Sequence, residues 1–314
     1  MPLLRSRVTT VLRNLVVIPL ALAMVSTGIA GQELVASLRL RLTTDLQAIA
    51  ARHGGVLGVQ LVDLTDGTVV GLNADMVFPQ ASAIKVPLLL ELYRQAERKP
   101  ALLKIRKSIG TDTRTGGSGV LSLFVDGSSM ISVEDLATLM VVLSDNTATN
   151  ILIDEVGADN VNALLDGLGL SQTRWRRKMM RFDASARGEE NVSTPAEAAA
   201  FMRRLAACDL PVSRETCARV RSVLEMPKDD PFRDPIPQDI KVAFKPGYTD
   251  AVRTAWGLVD LPGRPYVVAV MSTFNIDVGA TDGADAVREV SRAAFDHFRR
   301  VARANVYGVR TPKP

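Results

Sequence analysis

Apolar residues recur at helical spacing across residues 35–52 and stop at Gly54-Gly55, which predicts a helix closed by a turn. Two alternating runs, 56–64 and 68–72, flank Thr65-Asp66-Gly67, the pattern of a β-hairpin with an Asp-Gly turn. Helical periodicity then dominates from about residue 82 to residue 224, broken by glycine-rich loops. Strand patterning returns at 241–245, 253–259 and 266–273, and an amphipathic helix is expected over about 284–304. Early and late strands are expected to share one sheet. The order predicts an α+β fold, an antiparallel sheet flanked by terminal helices plus a mainly helical lobe, with a cleft between the lobes. The α/β lobe takes about 31–77 and 225–314, and the helical lobe about 78–224. No internal repeat or low-complexity linker divides the chain.

Composition changes this picture at the N-terminus. Arg5, Arg7 and Arg13 precede an apolar run over 15–25, and the small residues Gly28 and Ala30 follow it, so residues 1–30 read as a signal peptide cut between Ala30 and Gly31. The competing reading is a retained membrane anchor, for which the run is short against the roughly 20 residues of a span. Either way the protein is expected to be exported, periplasmic or secreted, with membrane contact only through this segment. A chain of 314 residues with 47% hydrophobic content can bury a sizeable core after losing that leader. The net charge of +4 comes with no long basic run or aromatic-interleaved patch, so no nucleic-acid partner is expected.

Scarce residue types exclude further chemistry. Export permits Cys208 and Cys217 to pair, yet Cys217 falls inside a helix expected over 213–224, and two free buried thiols fit the spacing equally well. His53 closes the first helix and His297 sits in the basic terminal helix, so both read as surface or capping residues. A Ser-His-Asp triad and a zinc site on paired imidazoles are therefore poor readings.

Three polar elements carry chemistry. In Ala81-Ser82-Ala83-Ile84-Lys85 a serine and a lysine are three apart at a helix start and project from one face. A desolvated amine near other cations loses its proton readily enough to serve as base for such a hydroxyl. Ser144-Asp145-Asn146 interrupts the apolar run 136–143, where the plain reading is a helix N-cap. Lys245-Pro246-Gly247 puts a cation and a glycine on what should be a sheet-edge strand, by itself a solvated lysine before a turn.

Order and spacing join them. Ser-x-x-Lys, then Ser-Asp-Asn about sixty residues on, then Lys-x-Gly about a hundred further, resembles the penicillin-recognising serine enzymes, and in particular the class A β-lactamase-related serine hydrolases. The resemblance runs over about 38–299, with Gly116-Gly117-Ser118-Gly119 before the second element and Ser193-Thr194-Pro195 after it. It implies the β-lactamase/transpeptidase-like fold over 31–314 and attack of Ser82 on a strained lactam carbonyl, with Lys85 as proton acceptor. The Ser82 and Tyr248 backbone N–H groups would form the oxyanion hole. Ser144 would relay a proton to the leaving nitrogen, and Lys245 would make the pocket positive. Asn146, Gly247 and Thr249 would bind substrate, a small β-lactam or a peptidoglycan-like amide or ester. A monomer needing no metal or organic cofactor is implied.

Two departures qualify the resemblance. Pro246 stands where the family carries a Thr or Ser hydroxyl for the antibiotic's carboxylate, a contact that Tyr248 or Thr249 would have to replace. The family's Glu-x-x-Leu-Asn motif, whose Glu drives deacylation, is absent, and counting back from Pro195 places Lys178 near that position. Asp183, Glu189 and Glu190 are the nearby carboxylates, each reading first as a solvated loop charge. The expectation is a serine β-lactamase-like hydrolase with slow deacylation. A penicillin-binding-like receptor that acylates and stalls, or a silent wall- or partner-binding module, are the alternatives.

Overall fold

A computed structural model describes residues 18–125, 128–275, 281–305 and 307–310. Helix α1 (Ile18–Arg52) leads into β1 (Val56–Asp63), β2 (Val69–Leu72) and the short β3 (Phe78–Pro79). A 3-10 turn, Ala81–Ile84, opens α2 (Lys85–Arg98), and β4 (Arg106–Ile109) and β5 (Ser129–Ser132) follow. Helices α3 (Val133–Val142), α4 (Asn146–Val156), α5 (Ala158–Gly167) and α6 (Phe182–Ala186) precede β6 (Val192–Ser193). Then come α7 (Pro195–Ala207), α8 (Arg214–Glu225), β7 (Val242–Thr249), β8 (Val252–Val259), β9 (Tyr266–Thr273) and α9 (Thr281–Ala302).

Hairpin and late strands do share one sheet, in the order β2-β1-β9-β8-β7, with every neighbouring pair antiparallel. Side chains alternate across it. On β8, Ala255 and Val259 face a core with Leu42 and Leu46 of α1 and Phe295 of α9, while Trp256 and Leu258 face the helical lobe. Both faces are thus buried, which explains why the strands read as nearly continuous apolar runs. Helix α2 threads the centre of the helical lobe with Lys85 through Tyr93 all buried, so its apolar residues go all round rather than along one stripe. Its one buried acid, Glu91, accepts from Arg94 Nε at 2.6 Å and Nη2 at 2.9 Å.

The structure differs from the sequence reading in several places. Helix α1 begins at Ile18 rather than near residue 35, taking in the end of the apolar run; residues 1–17, and with them most of the proposed leader, lie outside the described residues. No described helix is long and apolar enough to cross a membrane. The helical lobe also contains two short antiparallel pairs, β4 with β5 and β3 with β6. Runs of two to four residues are too short for periodicity to reveal. His53 is buried, joining Asp282 Oδ1 at 2.9 Å to Ser272 Oγ at 3.1 Å, so it fastens α1 to α9 and β9. Cys217 does lie inside α8, and both thiols are free.

One close approach ties the sheet to the segment between α8 and β7. A Cβ on Gly257 of β8 would fall 2.4 and 2.7 Å from the ring of buried Phe232. Overpacking of this kind costs roughly 1–3 kcal/mol. Gly257→Ala is expected to lower unfolding free energy by about that amount in urea titrations, and an unchanged midpoint would contradict the packing described.

Candidate active site

The chain reaches Ser82 under constraint. Strand β3 pairs with β6, Gln80 N donates to Asn191 O at 2.8 Å, and Ala81 takes a left-handed φ of 45° before the 3-10 turn begins. A non-glycine residue in that region costs on the order of 1–3 kcal/mol and persists only where its surroundings demand it. Gln80 supplies part of the demand. Fully buried, its side chain accepts from Trp256 Nε1 at 2.8 Å and donates to Phe78 O at 2.9 Å, while its carbonyl accepts from Thr254 Oγ1 at 3.0 Å. Sequence reasoning gave Gln80 no role; a polar residue two positions before Ser82 was its only signal.

Ser144 is the second strained residue, with φ 52° between α3 and α4. The N-cap reading holds for its neighbour. Asp145 accepts from Ala148 N at 2.8 Å as cap of α4, and its other oxygen accepts from Val120 N at 2.7 Å and Leu121 N at 2.9 Å. Gly119 is required for this: at φ 107°, a Cβ there would lie 2.1 Å from the Asp145 carboxylate. Capping and chemistry therefore coexist, because the cap aims its flanking residues, Ser144 and Asn146, at Lys85.

Lys85 Nζ donates to Ser144 O at 2.7 Å and Asn146 Oδ1 at 3.0 Å, and lies 3.2 Å from Ser144 Oγ. From the edge strand β7, Lys245 Nζ reaches Ser144 Oγ at 3.0 Å and Pro246 O at 2.8 Å. Both lysines are buried, at 0% and 1% exposure. Burial, reinforced by the Lys245 cation and opposed by Asp145, holds the Lys85 amine well below the usual ammonium range. Burial likewise pulls Lys245 down to about 7, with Lys228 acting in the same sense and Asp230 against it.

Strand β7 also closes on the start of α2. A Cβ on Gly247 would sit 2.7 Å from the backbone nitrogens of Ser82 and Ala83 and 2.6 Å from Gln80 O, so only glycine admits this approach. Ser82, Asn146, Tyr248 and Thr249 line one cleft of about 300 Å³, and the Tyr248 hydroxyl spans to Ser118 Oγ at 3.3 Å. The structure thus gathers Ser82, Lys85, Ser144, Asn146, Lys245, Gly247, Tyr248 and Thr249 in one place. His53 and His297 do not line that cleft.

The opposite wall corrects the count from Pro195. Lys178 points away, paired with Asp154 at 2.6 Å, and the loop presents Met179, Met180 and Phe182 to the cleft instead. Asp183, in the first turn of α6, pairs with Arg181, and Glu189 with Arg187, both as exposed, solvated charges. Glu190 alone of the three carboxylates lines the cleft. It is engaged by Arg177 Nη2 at 2.7 Å and by the Ser185 hydroxyl. Asn191 fastens the same loop, its Oδ1 accepting from Arg176 N at 2.7 Å and Arg177 N at 3.0 Å.

Comparison with known proteins agrees with this geometry. Residues 41–298 match a model of the β-lactamase enzyme family. β-Lactamase L2 of Stenotrophomonas maltophilia is 33% identical over 164 residues, 52% of this chain and 54% of that protein, so the match spans about half of the relative's length. A β-lactamase structure from Sphaerobacter thermophilus superposes with a TM-score of 0.72 at 30% identity, covering 81% of this chain and 95% of that one. A PBP-A variant, solved as an acyl-enzyme complex with penicillin G, superposes with a TM-score of 0.75 at 25% identity, covering 83% and 97%.

The Gly247 approach yields a direct test. Gly247→Ala forces β7 away from the Ser82 amide, the expected oxyanion donor, and displacing such a donor costs about a hundredfold or more. Acylation followed by stopped-flow is expected to fall by that factor while circular dichroism stays unchanged. Undiminished acylation would contradict the arrangement.

Proposed function

The chain belongs to the β-lactamase enzyme family, and we propose that its Ser82 opens β-lactam or related amide and ester bonds through an acyl-enzyme that is released slowly. One observation carries the reading. Burial and the nearby Lys245 cation disfavour the Lys85 ammonium, and its partners Ser144 O and Asn146 Oδ1 leave a neutral amine both N–H bonds satisfied and a lone pair to accept a proton.

In this reading the Ser82 oxygen bonds to the substrate carbonyl carbon while its proton passes to Lys85. Backbone N–H groups at Ser82 and Tyr248 hold the oxyanion. As the C–N bond breaks, Ser144 gives its proton to the leaving nitrogen and is resupplied by the Lys85 ammonium 3.2 Å away. Water then cleaves the acyl–oxygen bond. Lys245 supplies positive charge for an anionic substrate, although Pro246 offers no hydroxyl beside it. Export to an extracytoplasmic compartment and action as a monomer complete the proposal.

The second step is the slow one. Met179 and Met180 cannot activate water, and Glu190 is already held by Arg177 and Ser185. The same wall favours one other reading, a penicillin-binding-like receptor whose acyl form persists. The assembled Ser82, Lys85 and Ser144 argue against a silent binding module.

With a chromogenic cephalosporin, stopped-flow is expected to show a burst followed by slow turnover, with an adduct in quenched mass spectra that is absent from Ser82→Ala. Lys85→Ala should slow the burst by about a hundredfold or more. An adduct on Ser82→Ala would refute the nucleophile. Linear turnover at roughly 10 per second or more, with no adduct, would mean that a base such as Glu190 drives deacylation; a stable adduct without turnover would favour the receptor.

A further inference from the structure

The cleft's apolar wall says what kind of acyl group it receives. Met179 is held rigidly, its N–H donating to Asn150 Oδ1 at 2.8 Å and its carbonyl accepting from Asn150 Nδ2 at 3.2 Å, so α4 fixes the wall from behind. Met180 takes a left-handed φ of 60°, which carries its thioether across the cleft until a Cβ on Gly117 would lie 2.9 Å from its sulfur. Strain of this kind marks a position the surroundings impose. Phe182, at the first turn of α6, lines the same cleft and is 69% exposed, an aromatic left uncovered.

Part of the polar lining is already engaged within the protein. Asn146 is 6% exposed, its Oδ1 accepting from Lys85 Nζ at 3.0 Å and its Nδ2 donating to Gly116 O at 3.1 Å. Pro246 offers no hydroxyl, and Arg177 and Glu190 neutralise one another at the loop's base. The cleft of about 300 Å³ beside Ser82 has two thioethers and a phenyl ring in its lining, together with the polar residues Ser118, Tyr248, Thr249 and Asp250. Thioethers adapt their shape and make favourable contacts with aromatic rings.

We propose that Met179, Met180 and Phe182 form an apolar acyl-group subsite, making esters of arylacetic acids preferred over acetate esters as donors to Ser82. The proposal rests on acylation at Ser82. In the step it describes, the Ser82 oxygen bonds to the ester carbonyl carbon and its proton goes to Lys85. The carbonyl carbon's bond to the alkoxy or aryloxy oxygen breaks, and that oxygen leaves with the electron pair. Water later releases the carboxylic acid.

The test uses the full chain with p-nitrophenyl acetate and p-nitrophenyl phenylacetate, each corrected for its hydroxide-catalysed rate and for the Ser82→Ala background. The wild-type preference for phenylacetate is expected to be about tenfold or more, the scale of burying an added apolar group. Met180→Ser and Phe182→Ser should each cut the ratio severalfold, and Met180→Leu should retain it. A wild-type ratio near one, or a ratio indifferent to both serine variants, overturns the subsite while leaving acyl-Ser82 intact. Quenched mass spectra separate the two claims: no adduct on Ser82 from either ester or from penicillin would sink the acylation reading and the subsite with it.

Discussion

Two buried lysine amines converge on one serine hydroxyl, at 3.2 and 3.0 Å. Two full ammonium charges at such separation in a poorly solvated site would repel strongly, and proteins relieve such pairs by releasing a proton. Lys85 is the amine so placed: burial and the Lys245 cation both favour its neutral form, and its two acceptor-only partners need only two N–H bonds from it. Everything else in the site holds this arrangement or exploits it.

Holding it requires backbone conformations that isolated chains avoid. Ala81 and Ser144 both sit at positive φ, together costing a few kcal/mol by order of magnitude. Opposing this are the three backbone N–H groups collected by Asp145 and the buried net around Gln80. Those two residues touch no expected substrate position, yet they fix where Ser82 and Ser144 point. The sheet contributes from the far side: β7 lies at its edge, free to face the cleft, and Gly247 lets it close upon α2.

Much of this was legible in the sequence because it is written in short, strict patterns. The Asp-Gly hairpin, the three late strands and the amphipathic terminal helix follow from side-chain period and turn chemistry, and the three motif elements met in space as their order implied. The loop wall was not legible. Counting back from Pro195 assumes a regular path, but residues 171–191 are mostly irregular, and there a shift of one residue exchanges Lys178, paired outward with Asp154, for Met179 facing the cleft. Gln80 and His53 were missed for a related reason. A buried polar residue is recognised by the partners it meets across the fold, and those lie 113 or more residues away in five of the six side-chain contacts: Ser193, Trp256 and Met271 for Gln80, Ser272 and Asp282 for His53.

A buried amine held below the ordinary ammonium range is what the proposed acylation at Ser82 rests on. The central claim is the charge state of Lys85. Protein labelled with ¹³C at lysine Cε can be titrated by NMR, with the Lys85 signal assigned by its loss in Lys85→Arg. The account predicts a Lys85 resonance that titrates well below the ordinary value of 10.5. A Lys85 signal titrating at that ordinary value would mean a permanently charged ammonium, and the account of Ser82 activation would be wrong.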